Sequence, residues 1–559
     1  LPDTLYYNND KQNFSNIILR NKVNGSYEYQ LDSSSSLKIT ADGGDDHKIT
    51  NLNDSSDARA SDNSLVNQAF RKTSSVGDNY SVNSNIIFRK KFKKKGRTLS
   101  FNFKENYADN TSTGYLYSDN KYYLGGIINK DSLTDEYKTI RNENTLLDGK
   151  LTYSEPINKI SSLVFNYGLV VNNSLSEVNS FNKNADGKYL ALDSSFSSDY
   201  KFNILTNGAG AAYSLFKKKL KLNIGTNIAY TNFTQTNMNT DSVSTRNFIN
   251  WYPSASMTYQ FSQQRRLFIR YNGNTQQPTI QQLQPLLTNN DPLNITIGNP
   301  LLKPSFQNNL SFNFSDYKIL SDRSIWMGAD YSFPQNNIST DSYIDSFGRN
   351  VTQYVNLNGN HTLNGYIYYG IKIKKPDVRI NFNANVNESR YVSIVNNENN
   401  VTNSGDYTFG VNFNKEKQKK YSLNLNLSAT YTTSTSSIQS GIVTKYWQYD
   451  IDPNGDVYLP KKFQIHSDCD FNLRPASTAF PSTNVILWNA WIGKKFLKND
   501  VLLVKIIAND LLDNNIGFSR SVNSNFITQN TYSTIRRYFL LGVTWNFNKA
   551  GTKAPSQDN

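Results

Sequence analysis

The sequence predicts an all-β fold: a transmembrane antiparallel up-and-down β-barrel of about 22 strands when complete, with short turns at one end and long loops at the other. Three observations predict it. Period-2 alternation of apolar and polar residues recurs along the whole chain, the signature of a sheet with two unlike faces. Aromatic residues reach 13% although only 37% of residues are hydrophobic and mean hydropathy is −0.60. Connections alternate between short basic turns and long polar stretches, the pattern of barrels that cross a membrane.

The totals bound the architecture. With 559 residues and 63.5 kDa, soluble architecture would give several domains and linkers. The texture instead stays uniform from Asn21 to Lys549, so we expect a leading segment over residues 1–20, a barrel over 21–548 and a flexible tail over 549–559. No run approaches the ~18–20 apolar residues of a membrane helix, whereas a barrel strand needs only ~9–11 alternating ones. The chain starts at Leu1 without a basic or apolar leader and reads as a mature form or a fragment. Cys469 is the only cysteine, which excludes an internal disulfide. A net charge of +14 raises nucleic acid as a partner. Its distribution argues against that, because the cations cluster in turns such as Lys90–Arg97, Phe216–Lys221, Ile371–Pro376 and Lys415–Tyr421.

Taken in order, the strands show the same alternation. Leu220, Leu222, Ile224, Ile228 and Tyr230 oppose Lys221, Asn223 and Asn227. Leu267, Ile269 and Tyr271 oppose Phe268, Arg270 and Asn272, while Ile380, Phe382, Ala384 and Val386 oppose Asn381, Asn383, Asn385 and Asn387. Leu423, Leu425, Leu427, Ala429 and Tyr431 oppose Asn424, Asn426 and Ser428. A sandwich of two soluble sheets would explain any one strand. Segments such as Val351–Ile373 and Ile160–Asn179 exceed the usual ~5–6 residues and favour tilted spanning strands. Short turns are expected from Leu31–Leu37 through Phe496–Val501, and long loops at Asp45–Asn79, Thr111–Lys138, Phe181–Tyr200, Asn237–Phe248, Pro278–Pro304 and Leu512–Thr534. Alternating direction back from Arg536–Phe547 requires a descending strand at Ile442–Ile451, turned by Pro453-Asn454-Gly455, and gives roughly 21 strands, one short of the even number a closed barrel needs. Glu105 follows Leu99, Phe101 and Phe103 on the lipid face unless a bulge intervenes or the strand has left the bilayer.

No catalytic, cofactor-binding or metal residue is assigned. Asp450 to Asp456 imitates half of an EF-hand loop, but Lys461 stands where the bidentate carboxylate belongs and a turn explains the Pro-Asn-Gly. Asp468, Asp470 and His466 share one strand face as a loose metal constellation, better read as luminal polarity. His47 and His361 lie apart, no G-x-S-x-G surrounds a serine, and Gly208-Ala-Gly210 reads as strand packing. The protein is therefore expected not to be an enzyme and to need no cofactor. Trp251, Tyr252, Tyr271, Trp447 and Tyr449 suit interfacial girdles. For the loop tyrosines of Tyr115–Tyr123, ligand stacking stands beside that reading.

GNPLLKP (Gly298–Pro304) and the strand after it resemble the loop-to-strand motif of TonB-dependent outer-membrane receptors. Asn509–Arg520, Arg536–Phe547 and Trp251–Phe261 are similar to the Bacteroidota-type outer-membrane β-barrel family related to them. The resemblance implies an outer-membrane location, long loops outside the cell, and uptake of a nutrient driven through TonB. It also implies a plug domain inside the barrel. Leu1–Phe14 is too short to be that plug, so the sequence reads as the barrel portion. The other readings are a scaffold that anchors a surface protein complex, with a surface lipoprotein as possible partner, and an unplugged diffusion pore. Expected partners are outer-membrane lipid and, by resemblance, the plug and TonB; nucleic acid is not among them.

Overall fold

Alternation without helical periodicity leaves the backbone one way to satisfy its polar groups, and the result is a single antiparallel wall. The computed structural model describes residues 6–283, 287–288, 294–345, 349–439, 443–476, 481–497, 500–523 and 526–546. The tail expected over 549–559 lies outside the described residues. Six tall strands come first: β1 (Tyr6–Asp32), β2 (Ser35–Ala60), β3 (Leu65–Lys91), β4 (Thr98–Leu124), β5 (Ile127–Pro156) and β6 (Ser161–Lys183). Each pairs antiparallel with the next. The wall continues through Ser198–Lys217, Leu220–Asn237, Ser242–Gln260, Arg265–Gln276 and Ser305–Lys318. Arg323–Ser332, His361–Ile373, Val378–Val395, Glu398–Lys417 and Tyr421–Ser436 follow. Val443–Leu459, Phe463–Arg474, Thr483–Phe496, Leu502–Asn509 and Tyr538–Trp545 complete it.

These are 21 wall strands in sequence order, matching the count by alternation. Among the described residues β1 and Tyr538–Trp545 are each paired on one side only, so the two edges are not joined. With an odd number of antiparallel strands the two edge strands run in the same direction.

The two faces are as unlike as the sequence requires. Ile228 and Tyr230 are about half exposed on the apolar face, while Ala229 and Thr231, which alternate with them, are buried. Phe382 is exposed and its neighbour Asn381 is buried on the polar face. Gly208 and Gly210 lie on that polar face, where a Cβ on Gly210 would fall 1.9 Å from Asn227 Oδ1 and 2.5 Å from the Thr226 carbonyl oxygen. The strand-packing reading of Gly208-Ala-Gly210 holds, because the neighbouring strand leaves no room for a side chain.

Several expectations need correction. Asp45–Asn79 and Thr111–Lys138 are not loops but the upper halves of β2 and β3 and of β4 and β5, joined at residues 61–64 and at Gly125-Gly126 with φ of 59° and 82°. The side chains there are mostly polar on both faces, including buried ones such as Ser118, Asn120 and Glu136, so the hydrophobic period vanishes while the ladder of backbone hydrogen bonds continues. β1 begins at Tyr6, so strand structure extends through most of the expected leading segment 1–20. Val351–Ile373 is interrupted at residues 358–360, and Asn350–Leu357 belongs to a hairpin in the preceding loop.

Pro453-Asn454-Gly455 lies inside a strand. The turn is at Pro460–Lys462, where Lys461 and Lys462 take φ of 61° and 67°. Pro453 is accommodated because its pairing to Phe463–Arg474 skips from Ile451↔Phe471 to Asn454↔Asp468, a gap where no N–H is needed. Glu105 does lie on the apolar face: register is unbroken from Thr98 to Tyr122, and its carboxylate accepts a 3.2 Å hydrogen bond from Ser84 Oγ. Tyr252, paired with Asn227, is on the polar face rather than in an aromatic girdle.

Candidate solute path and its mouth

Much of the polar face is a surface of small amides and hydroxyls, because Asn, Ser and Thr recur at its alternate positions. These groups satisfy one another across strands. Asn381 donates to Asn412 at 3.0 Å, Asn412 to Asn424 at 2.6 Å, and Asn426 to Asp452 at 3.0 Å. Ser404 and Ser434 are 2.9 Å apart, and Thr408 and Thr430 2.8 Å. A cross-strand ladder of this kind holds water and polar solutes without binding one strongly.

At the long-loop end this face turns apolar. Phe202 is fully buried and packs with Tyr200, Phe233, Leu283 and Leu302. Phe202 and Phe233 belong to the wall, Leu283 to a short helix at Ile280–Leu283, and Leu302 to the GNPLLKP segment. The loop between Arg265–Gln276 and Ser305–Lys318 therefore folds inward and seats two leucines on the inner wall. Arg246 lies over the Phe233 ring at 5.8 Å. Burial pulls the Arg246 guanidinium below its usual value and pushes the Tyr200 phenol above its own.

Polar contacts fix this seat at both ends. At the loop's start, Thr206 and Thr231 are 2.8 Å apart, Asn250 donates to Thr231 at 2.8 Å, and Gln277 donates to Asn250 at 2.9 Å. At its end, Asn299 N donates to the Gln282 carbonyl at 2.6 Å and its side chain donates to the Tyr354 carbonyl at 2.9 Å. Asn356 then both accepts from Lys303 N at 2.8 Å and donates to Lys303 O at 2.9 Å. Tyr354 and Asn356 come from the next loop, whose hairpin Asn337–Ile344 and Asn350–Leu357 runs parallel to Asn294–Ile297 and to the upper end of Val378–Val395. Two long loops are thus locked to each other and to one side of the mouth.

GNPLLKP marks more than the re-entry from loop to strand. Its Asn ties two loops and its second Leu fills the seat. Sequence reasoning did not single out Phe202, Phe233, Leu283 or Leu302. The available signal was the run of aliphatic residues in this loop, Ile280, Leu283, Ile295, Leu301 and Leu302 among them; Leu301 is exposed and Leu302 buried.

His466, Asp468 and Asp470 share the polar face as expected. His466 Nδ1 is 3.1 Å from Asp456 and Nε2 is 3.2 Å from Asp468, with the ring stacked on Trp491 at 5.6 Å. Both ring nitrogens are engaged, and among the described residues no group of three His, Cys, Asp or Glu side chains is arranged to hold a metal. The half EF-hand stretch is extended strand, with Asp450, Asn454 and Asp456 all in the antiparallel ladder. His47 pairs with Asp78 at 2.7 Å on the tall wall, far along the chain from His361, which sits beside Tyr331. On the apolar face Trp447 stacks on Tyr449 and contacts Tyr431, and Trp251 stacks on Phe306, as girdle residues would. The loop tyrosines Tyr115 and Tyr117 lie on strand β4, where Tyr115 contacts Tyr137 and Tyr189.

The profile of the outer membrane protein beta-barrel family matches residues 90–414 and 392–545. Similar solved structures include the outer membrane transporter YddB from Escherichia coli, at 11% identity, covering 95% of this chain and 76% of that one with a TM-score of 0.44. FpvA of P. aeruginosa, solved with heterologous pyoverdines, shows 10% identity, 96% and 71% coverage and a TM-score of 0.45. The siderophore receptor PirA from Pseudomonas aeruginosa shows 11% identity, 94% and 80% coverage and a TM-score of 0.38. No curated protein matches the sequence significantly.

Proposed function

Because the chain belongs to the outer membrane protein beta-barrel family, we propose that it is a transporter barrel of the TonB-dependent receptor type that takes up a nutrient across the outer membrane. The wall places its apolar face in lipid and its polar face around the path, with short turns toward the periplasm and long loops outside. The observation that carries the reading is the inward-folded mouth. Leu283 and Leu302, seated on Phe202 and Phe233, put a loop where a solute must pass, which a pure anchor has no need of. In this reading the outer loops capture the solute and the Asn, Ser and Thr ladder holds a plug domain by many modest hydrogen bonds. TonB then supplies the force that rearranges it. No chemical step is assigned to any residue.

The test compares cells with and without the barrel for accumulation of small molecules from spent medium, read by mass spectrometry, with and without a protonophore. Accumulation that needs both the barrel and the proton gradient supports uptake. Flux that persists unchanged with the protonophore sinks it in favour of a diffusion pore.

A second reading, a scaffold for a surface lipoprotein, is favoured by one observation. The tall wall rises beyond any bilayer, and near its top Tyr115, Tyr137, Phe181 and Tyr189 form a contiguous ring cluster on the outward face. Isolation of the barrel with a stoichiometric partner that is lost on Tyr115→Ser with Tyr137→Ser would support it.

A further inference from the structure

The cations of this chain are concentrated at its short turns. The short-turn segments 31–37, 89–97, 155–160, 216–221, 261–266, 316–323, 372–379, 415–420, 460–462 and 494–500 hold 29 of the 59 Lys and Arg residues but only 7 of the 45 Asp and Glu. They carry a net +22 against +14 for the whole chain, so the remainder of the barrel is net −8.

Six of the seven rim carboxylates are held in ion pairs, and five of these stitch one turn to its neighbour. Asp32 pairs with Lys90, and Glu155 takes Lys94 at 2.6 Å and Arg97 at 2.7 Å. Asp316 takes Arg265 at 3.1 Å as well as Arg323, Asp322 takes Arg379, and Asp500 takes Lys462 at 2.7 Å. Asp377 pairs with Lys372 within one turn. The Arg97 guanidinium and Lys94 hold the Glu155 carboxyl well below the usual carboxylate range.

The acids therefore brace the rim and leave cations over. Lys374, Lys375, Lys417, Lys419, Lys420 and Lys461 are exposed and, among the described residues, form no ion pair. They lie on three turns that are neighbours in space: Arg379 pairs with Asn414, and the Lys420 carbonyl accepts from Tyr458 N.

We propose that the short-turn rim is a cationic collar that binds the phosphate headgroups of anionic phospholipids in the periplasmic leaflet. Two features favour lipid over an acidic protein. The excess charge falls on seven of the ten turns, from 89–97 to 494–500, whereas a protein partner would engage a sector. The rim also adjoins the apolar band directly: Lys494 Nζ lies 4.8 Å and 5.3 Å from the rings of Phe463 and Phe496, on the face that meets the acyl chains. A lysine placed there buries its stem on apolar surface and presents its ammonium at headgroup level. Attraction of this kind adds up over several lysines and is screened by salt. It does not depend on what the barrel carries.

The experiment mixes the purified full chain in detergent with equimolar phosphatidylglycerol and phosphatidylethanolamine and counts retained lipids by native mass spectrometry. The expected result is an excess of phosphatidylglycerol that falls as salt rises from about 0.05 to about 0.5 M, and that glycerol phosphate at the same concentration does not displace. A variant with Lys374, Lys375, Lys417, Lys419, Lys420 and Lys461 all changed to Gln should lose that excess by at least about tenfold while keeping its heat-modifiable barrel mobility on gels. Equal retention of the two lipids by the unmodified protein overturns the proposal whether or not the variant folds. So does full displacement by glycerol phosphate, or an excess untouched by the six substitutions.

Discussion

Truncating Leu302 to alanine should unseat the loop at the mouth while leaving the wall intact. Leu302 is 3% exposed and packs against Phe202, itself 0% exposed, together with Phe233, Tyr200 and Leu283. Full burial of a leucine is worth ~1.5–3 kcal/mol, and removing it from a packed site that relaxes only partly costs ~2–5 kcal/mol. The seat is a small cluster beside a polar surface, so we take ~2–3 kcal/mol, all of it charged to loop docking and not to the barrel. At 1.4 kcal/mol per decade this shifts the docked-to-undocked ratio by about 30–150-fold. Hydrogen exchange on the protein in detergent micelles reads that ratio. The Leu283 and Asn299 amides, which donate to the Thr279 and Gln282 carbonyls, should lose protection by about that factor. Amides in the middle of β4 should not change. If exchange at Leu283 and Asn299 is the same in Leu302→Ala as in the parent, the loop is not held by this seat and the gated mouth loses its basis.

Other outcomes follow from the same structure. Gly210→Ala should destabilise the barrel by ~1–3 kcal/mol through overpacking against Asn227 and the Thr226 carbonyl, whereas Gly168→Ala, with its nearest neighbour 3.9 Å away, should be silent; heat-modifiability on gels separates them. Arg71 and Asp54 are joined at 2.7 Å with side chains 12% and 9% exposed, so Arg71→Ala leaves a buried carboxylate without its cation and should cost ~3–5 kcal/mol locally. Proteolysis within β2 and β3 should rise, and Arg71→Met combined with Asp54→Leu should restore resistance.

Burial and the adjoining Asp54 push the Asp10 carboxyl, far beyond the membrane band, up to about 7, with Arg71 opposing. A raised carboxyl favours the folded state when protonated. This contribution is full below the ordinary value of 3.8 and is lost as pH rises through about 7. Exchange of β1 amides, corrected for intrinsic rate, should quicken as pH rises from 3.8 to about 7 and level off above it, and Asp10→Asn should abolish that dependence.

The wall strands were legible because one face needs lipid and the other water, and that demand writes itself as alternation in Leu220–Asn237 or Val378–Val395. Where the chain rises above the lipid and both faces carry mostly polar side chains, the alternation disappears. The upper halves of β2 to β5 therefore read as loops, although pairs such as Arg20–Asp46 and His47–Asp78 lie across extended, hydrogen-bonded strands. The Pro453-Asn454-Gly455 stretch misled for the opposite reason. Its residues favour a turn locally, but a register gap on one side of the strand absorbs the missing N–H, and two lysines in left-handed conformation make the turn instead.

The seat at the mouth was not legible, because Phe202 and Leu302 are a hundred residues apart, whereas most contacts of this chain join neighbouring strands. By itself the sequence determined the fold class, the direction of the strands and the location of the charge, since each follows from which solvent a residue's neighbours must face. Only the tertiary structure decided which loops turn inward, what they rest on, and which rim cations remain unpaired. Those depend on contacts between elements whose separation along the chain carries no periodic trace.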